Sequence, residues 1–217
     1  RHFLSHLPII YGPIPNPGYR LLYGGKYRLS DRYKLYLRQH ADESRERNRK
    51  CENGRNQNNT DIIREAGRIL KEGGLVAFPT ETVYGLGADA LNEDAAKKIY
   101  AAKGRPSDNP LIIHITNMKA LEKIVSEVPE KAVKVAEKYW PGPLTMIFNK
   151  SDIVPYGTTG GLDTVAVRMP VDALAREVVD AGGGYIAAPS ANTSGRPSPT
   201  TAQHVAEDLT GRVDMIV

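Results

Sequence analysis

The chain has 217 residues, 41% of them hydrophobic, a single cysteine and a formal net charge of +4. That length suits one domain with an appendage, and the apolar share is enough for a core. No stretch approaches the roughly 18 consecutive apolar residues of a membrane span, and one cysteine excludes an internal disulfide or a cysteine metal cluster. The first residues also lack a signal peptide's order of basic, apolar and small-residue regions, so a soluble cytoplasmic protein is the expectation.

The charge is unevenly spread. Residues 1–59 hold 12 Lys and Arg against 5 Asp and Glu, whereas residues 60–217 hold 17 against 20. The leader carries six of the eleven tyrosines (Tyr11, Tyr19, Tyr23, Tyr27, Tyr33 and Tyr36) and ends in ADESRERNRKCENGRNQNN. Cations interleaved with rings suit single-stranded nucleic acid, and an RNA contact is one reading. The other is a poorly ordered extension, because its last twenty residues have almost no apolar content. Cys51, inside that polar run, reads as an exposed bystander. The opening Arg and the apolar close VDMIV give the chain the look of an excerpt.

From Thr60 onward helical and strand patterns alternate. TDIIREAGRILKEGG spaces Ile62, Ile63, Ala66, Ile69 and Leu70 for one helix face, with Thr60 as N-cap and Gly73-Gly74 as the stop. LVAFP follows as a strand covered on both faces. Asn92 caps EDAAKKIYAAKG; LIIHI (111–115) is the next strand; two helices are expected around 117–126 and 129–139, before WPGP breaks the pattern. LTMIF (144–148), TVAVRM (164–169) and YIAAP (185–189) read as strands, VDALAREVVDAGGG and TTAQHVAEDLTG as helices with their stops, and VDMIV begins another strand. The alternation predicts an α/β fold, a twisted mixed sheet flanked by helices, since adjoining strands at 144–148 and 164–169 allow antiparallel pairing.

Ligands of open α/β sheets sit where strands give way to loops, and four such segments carry polar chemistry. PTETVYGLG offers Thr80, Glu81, Thr82 and Tyr84 ahead of two glycines, although it also reads as an ordinary turn, because G-x-G without a third glycine is weak evidence for phosphate binding. KGRPSDNP places Lys103 and Arg105 at a loop mouth, as a helix C-cap or as an anion clamp. His114 lies within LIIHI, as a hydrogen-bonded core histidine or a functional one. Arg168, among Val165, Val167 and Met169, needs an anion, either an internal carboxylate or a ligand. SANTSGRPSPT packs hydroxyls, an asparagine and Arg196 before a helix, as an N-cap loop or an anion site. Together the loops supply Lys103, Arg105, Arg168 and Arg196 as positive charge and Thr82, Ser190, Asn192 and Thr200 as neutral hydrogen-bonding groups. There is no Cys/His cluster, G-x-S-x-G elbow or GxxxxGK[ST] loop. The inferred site binds phosphates and a carboxylate without a protein nucleophile, and works by positioning and charge stabilisation.

PTETVYGLG, KGRPSDNPL with LIIHI, WPGPLT, GLDTVAVRMP and PSANTSGRPSPT, in this order, resemble the YrdC-like domain of threonylcarbamoyl-AMP synthases over about residues 60–217. The resemblance implies condensation of L-threonine, bicarbonate and ATP to threonylcarbamoyl-AMP and pyrophosphate. The product would pass to the machinery that transfers threonylcarbamoyl to tRNA. It also implies a positively lined groove in the sheet, with Thr82, His114, Arg168 and Ser190 binding threonine. Arg105, Asn109, Thr164, Asn192 and Thr200 would bind ATP, with Lys103 added as the partner of Arg105 and this basic pair offsetting charge at the α-phosphate. Magnesium would accompany the triphosphate, held by its oxygens and water, with no protein metal site. Members of the family continue past this C-terminus, so a truncated catalytic domain is expected, and residues 1–59 match nothing in the family pattern. The alternatives are an RNA-binding module of the same fold, or the related domain of hydrogenase-maturation carbamoyltransferases. The latter keep zinc-finger cysteine pairs upstream, against the one cysteine here.

Overall fold

The computed structural model describes residues 59–217. The leader, Cys51 and the RNA contact expected there lie outside the described residues.

The first helix, α1, spans 59–71; residue 59 is already helical, so Thr60 falls inside the first turn and is not the cap expected of it. Ala66 and Leu70 form its buried face, and Gly73 turns the chain with φ 77°. Seven strands follow: β1 Val76–Phe78, β2 Gly85–Asp89, β3 Ile112–His114, β4 Thr145–Asn149, β5 Thr164–Arg168, β6 Ile186–Ala187 and β7 Met215–Ile216. Between them come α2 Glu93–Lys103, α3 Met118–Ile124, α4 Glu130–Tyr139, α5 Tyr156–Thr159, α6 Ala173–Ala181 and α7 Ala202–Leu209. Short polar side chains start several of these helices by accepting from otherwise orphaned amides. Asn92 takes those of Asp94 and Ala95, Asn117 that of Ala120, Asp172 that of Ala175 and Thr201 that of His204. No helix among the described residues is long and apolar enough to cross a membrane.

The strands form one sheet in the order β4-β5-β3-β6-β2-β1-β7. β3 and β5 are parallel, as are β1 and β7, whereas β1/β2, β2/β6, β3/β6 and β4/β5 are antiparallel. The expected mixed sheet is thus present. Alternate residues of a strand face opposite sides, and the core divides accordingly. Val76, Phe78, Ile186 and Ala188 pack with Ala66 and Leu70 of α1 and Ala175, Val178 and Val179 of α6. Ala77, Leu86, Ala88, Ile113 and Val167 pack with Ile99 of α2, Leu121 and Ile124 of α3, and Val205 and Leu209 of α7.

Two elements depart from the sequence reading. GLGAD, read as the tail of a glycine loop, is a strand near the middle of the sheet. Its glycines serve packing: a Cβ on Gly87 would stand 2.7 Å from the Phe78 ring and 2.9 Å from Ile186 Cγ2. The segment PYGTTGG, read as a loop, contains the single turn α5, where the fully buried Thr158 donates to the Ala90 carbonyl at 2.7 Å.

Candidate functional site

The register of β3 against β5 sets His114 beside Arg168. The neighbouring β6 leads into Ala188, Pro189 and Ser190, and Ser190 bridges back to Gly85 at the start of β2. Before β2 the chain makes a turn secured by its own hydroxyl: Thr80 Oγ1 donates to the Val83 carbonyl at 2.7 Å and accepts from the Thr82 amide at 3.2 Å. These segments enclose a cavity of about 160 Å³. Thr80, Thr82, His114, Arg168 and Ser190 supply its polar wall, and Val83, Tyr84, Ile112 and Ala188 its apolar one. All four residues expected to bind threonine therefore line one cavity, although they come from four separate stretches of sequence.

Arg168 carries the only full charge on that wall at neutral pH. Its Nη2 donates to Glu81 Oε1 at 2.6 Å and to Thr82 Oγ1 at 3.1 Å. The sequence left open whether its anion was internal or a ligand; among the described residues it has an internal one, Glu81. The pairing is incomplete, because Arg168 Nε and Glu81 Oε2 are buried without a hydrogen-bond partner. Burial works to raise the Glu81 carboxyl, but the bond and charge of Arg168 and nearby backbone amides hold it below the usual carboxylate range. His114 is 3% exposed, with Nδ1 3.3 Å from the Ile112 carbonyl. Burial first and the Arg168 charge second lower its pKa to about 4, so it is a neutral imidazole at pH 7.

Lys103 is placed differently from a free phosphate clamp. It ends α2, where Gly104 at φ 60° returns its amide to Ala101 and Tyr100, so the C-cap reading of this pair is realised. The side chain is 1% exposed, and its ammonium donates to the carbonyls of Ser190 and of Asn192, the latter at 2.5 Å. Burial, then the neighbouring Arg105, lower its pKa to about 8, with Asp208 opposing. The buried Asn192 extends this knot: Oδ1 accepts from Ser190 Oγ at 2.5 Å, and Nδ2 donates to the carbonyls of Thr193 and Arg196 at 2.9 and 2.8 Å. Lys103 and Asn192 thus shape the 190–196 loop that carries Ser190 into the cavity.

The other expected ATP residues are more dispersed. Arg105 makes long bonds to the carbonyls of its own loop, 3.4 Å to Asn109 and 3.3 Å to Pro110, and Asn109 is exposed. Thr200 lines a second, open cavity of about 390 Å³ with Arg196, His204, Glu207 and Asp208, in which Arg196 is paired to Asp208. Thr164 begins β5 opposite Asn149, four residues and roughly 13 Å of strand away from Arg168. Among the described residues no group of three or more His, Cys, Asp or Glu could hold a metal ion. Sequence reasoning did not give Glu81 its role; the signal was the requirement that a guanidinium in a strand find an anion.

Residues 68–217 match the Sua5/YciO/YrdC family, described as "Telomere recombination". The chain belongs to this family. It is 57% identical over 155 residues to a threonylcarbamoyl-AMP synthase of Pyrococcus abyssi, covering 71% of this chain and 46% of that protein. A threonylcarbamoyl-AMP synthase of Bacillus subtilis is 56% identical over 156 residues, covering 71% and 45%. Among solved structures, Sua5 of P. abyssi complexed with L-threonine superposes with a TM-score of 0.70 at 58% identity, over 71% of this chain and 45% of that one. The chain spans about half the length of these relatives. As a member of the Sua5/YciO/YrdC family it has its candidate cavity at the convergence of β2, β3, β5 and β6.

Proposed function

We propose that this chain forms the catalytic domain of a threonylcarbamoyl-AMP synthase, a nucleotidyltransferase that condenses L-threonine, bicarbonate and ATP for tRNA modification. The observation that carries the reading is the gathering of Thr82, His114, Arg168 and Ser190 around one small cavity, in a chain 58% identical to a Sua5 solved with L-threonine. In this account the guanidinium of Arg168 receives the threonine carboxylate, since arginine presents donors in a fork that matches a carboxylate. Neutral His114 and the hydroxyls of Thr82 and Ser190 bond the remaining polar atoms without adding charge.

The threonine amine takes up bicarbonate with loss of water to give a carbamate. A carbamate oxygen then forms a bond to the α-phosphorus of ATP, and the bond to the leaving pyrophosphate breaks. The ATP side is assigned to Arg105, Asn109, Thr164, Asn192 and Thr200. Lys103 contributes by fixing the loop between Ser190 and Asn192, and Arg105 supplies charge at the phosphates. Magnesium bound with ATP would offset the triphosphate charge, with no protein ligand set required of this chain. Because the product is consumed in tRNA modification, the protein works in the cytoplasm.

The test is pyrophosphate release by the full-length protein with ATP and magnesium. Release that requires both threonine and bicarbonate supports the synthase; release without them, or none with ATP bound, contradicts it.

A further inference from the structure

We infer that Glu81 is a charge-balancing positioning residue that makes the cavity select a net-neutral amino acid over a carboxylate of the same shape lacking the amine. This rests on the amino-acid-site reading above. A lone guanidinium in a small, partly desolvated cavity attracts any carboxylate, and an anion gains most because nothing offsets the charge. Here Arg168 is not alone. Glu81 Oε1 accepts from its Nη2 at 2.6 Å, with the two side chains only 12% and 17% exposed. The second Glu81 oxygen is buried with no hydrogen-bond partner, and against the opposing effect of burial the carboxyl is held below its usual range by Arg168 and by the backbone amides of Glu81 and Asp172. The carboxylate therefore stays ionised beside the guanidinium at neutral pH.

The rest of the wall does not upset this balance. His114 is uncharged, and Thr80, Thr82 and Ser190 are neutral. Lys103 stands behind the loop with its ammonium on the carbonyls of Ser190 and Asn192, and Asp208 acts on it as an opposing charge. A ligand carrying both a carboxylate and an ammonium meets Arg168 at the wall and feels the Glu81 charge behind it through the ion pair, as a complementary dipole. One carrying only the carboxylate meets the repulsion of Glu81 without the compensating attraction. Glu81 is held by a turn whose internal bonds are Thr80 Oγ1 to the Val83 carbonyl and the Thr82 amide to Thr80 Oγ1, so its position is set without the ligand.

The test compares binding of L-threonine and of 2,3-dihydroxybutyrate, in which a hydroxyl replaces the amine, to the full-length protein by calorimetry. The wild type is expected to prefer threonine. Glu81→Gln is expected to shift the threonine-to-dihydroxybutyrate ratio toward the anion by about tenfold or more, the effect of one charge a few ångströms away. Glu81→Asp, which keeps the charge, is expected to retain the wild-type preference. A folded Glu81→Gln protein with the wild-type ratio overturns the inference. So does equal affinity of the wild type for both compounds, a result that needs no variant. Failure of the wild type to bind threonine would instead overturn the underlying site reading, and with it this inference.

Discussion

Arg168 and Glu81 meet through one hydrogen bond: Nη2 reaches Oε1 at 2.6 Å, and Nε and Oε2 are left buried and unpaired. A side-on fork would have joined both pairs of atoms. Arg168 nevertheless lines the cavity, so a carboxylate bound there meets a guanidinium that its protein partner does not fully occupy.

Replacing Arg168 by Lys separates charge from geometry. The ammonium still offsets Glu81, so the unfolding free energy should change by only about 1 kcal/mol, whereas the fork is lost. Half-saturation for threonine in the pyrophosphate assay should rise about ten- to hundredfold, the loss expected of a charge-assisted bond. An unchanged KM would remove Arg168 from the carboxylate site.

His114 makes a pH prediction. Its folded pKa of about 4 lies below the ordinary 6.5, so between those values the unfolded chain binds a proton that the folded chain does not. Stability should therefore fall as pH drops from about 6.5 toward 4, by an amount on the order of 3 kcal/mol from this group. Urea midpoints at pH 7 and 4.5 should diverge more in the wild type than in His114→Gln. Equal pH dependence in the two proteins would show that the imidazole is not buried in its neutral form.

Lys103→Met should destabilise the fold by about 2–4 kcal/mol, because two inward-facing carbonyls, of Ser190 and Asn192, lose their donor. The same variant should weaken threonine binding, since Ser190 rides on that loop. A chemical unfolding curve superimposable on the wild type would contradict the clamp.

Gly87→Ala tests the central strand. Its new methyl would stand 2.7 Å from the Phe78 ring, and overpacking of this kind costs about 1–3 kcal/mol. The thermal midpoint should fall, and an unchanged midpoint would mean that the sheet can shift to make room.

Much of the fold was legible because its signals are local. Asn92 announces α2, the periodicity of Ala95, Ile99 and Ala102 gives its buried face, and the apolar run around Ile113 marks a central strand. β2 escaped because GLGAD has neither β-branched nor aromatic residues; its glycines fit the space left by Phe78 and Ile186, which only the packed sheet brings against them. The site was legible by the same division. Arg168 advertises its need for an anion, whereas the choice of Glu81 depends on how β5 meets the turn before β2. Lys103 showed its charge in the sequence, but the two carbonyls that hold it lie 87 and 89 residues away.

The most direct test of the account is a crystal structure of the full-length protein with L-threonine bound. The account predicts the ligand in the cavity between Thr82, His114 and Ser190, its carboxylate on the Arg168 guanidinium. Threonine bound elsewhere, or in this cavity with its carboxylate turned away from Arg168, would contradict it.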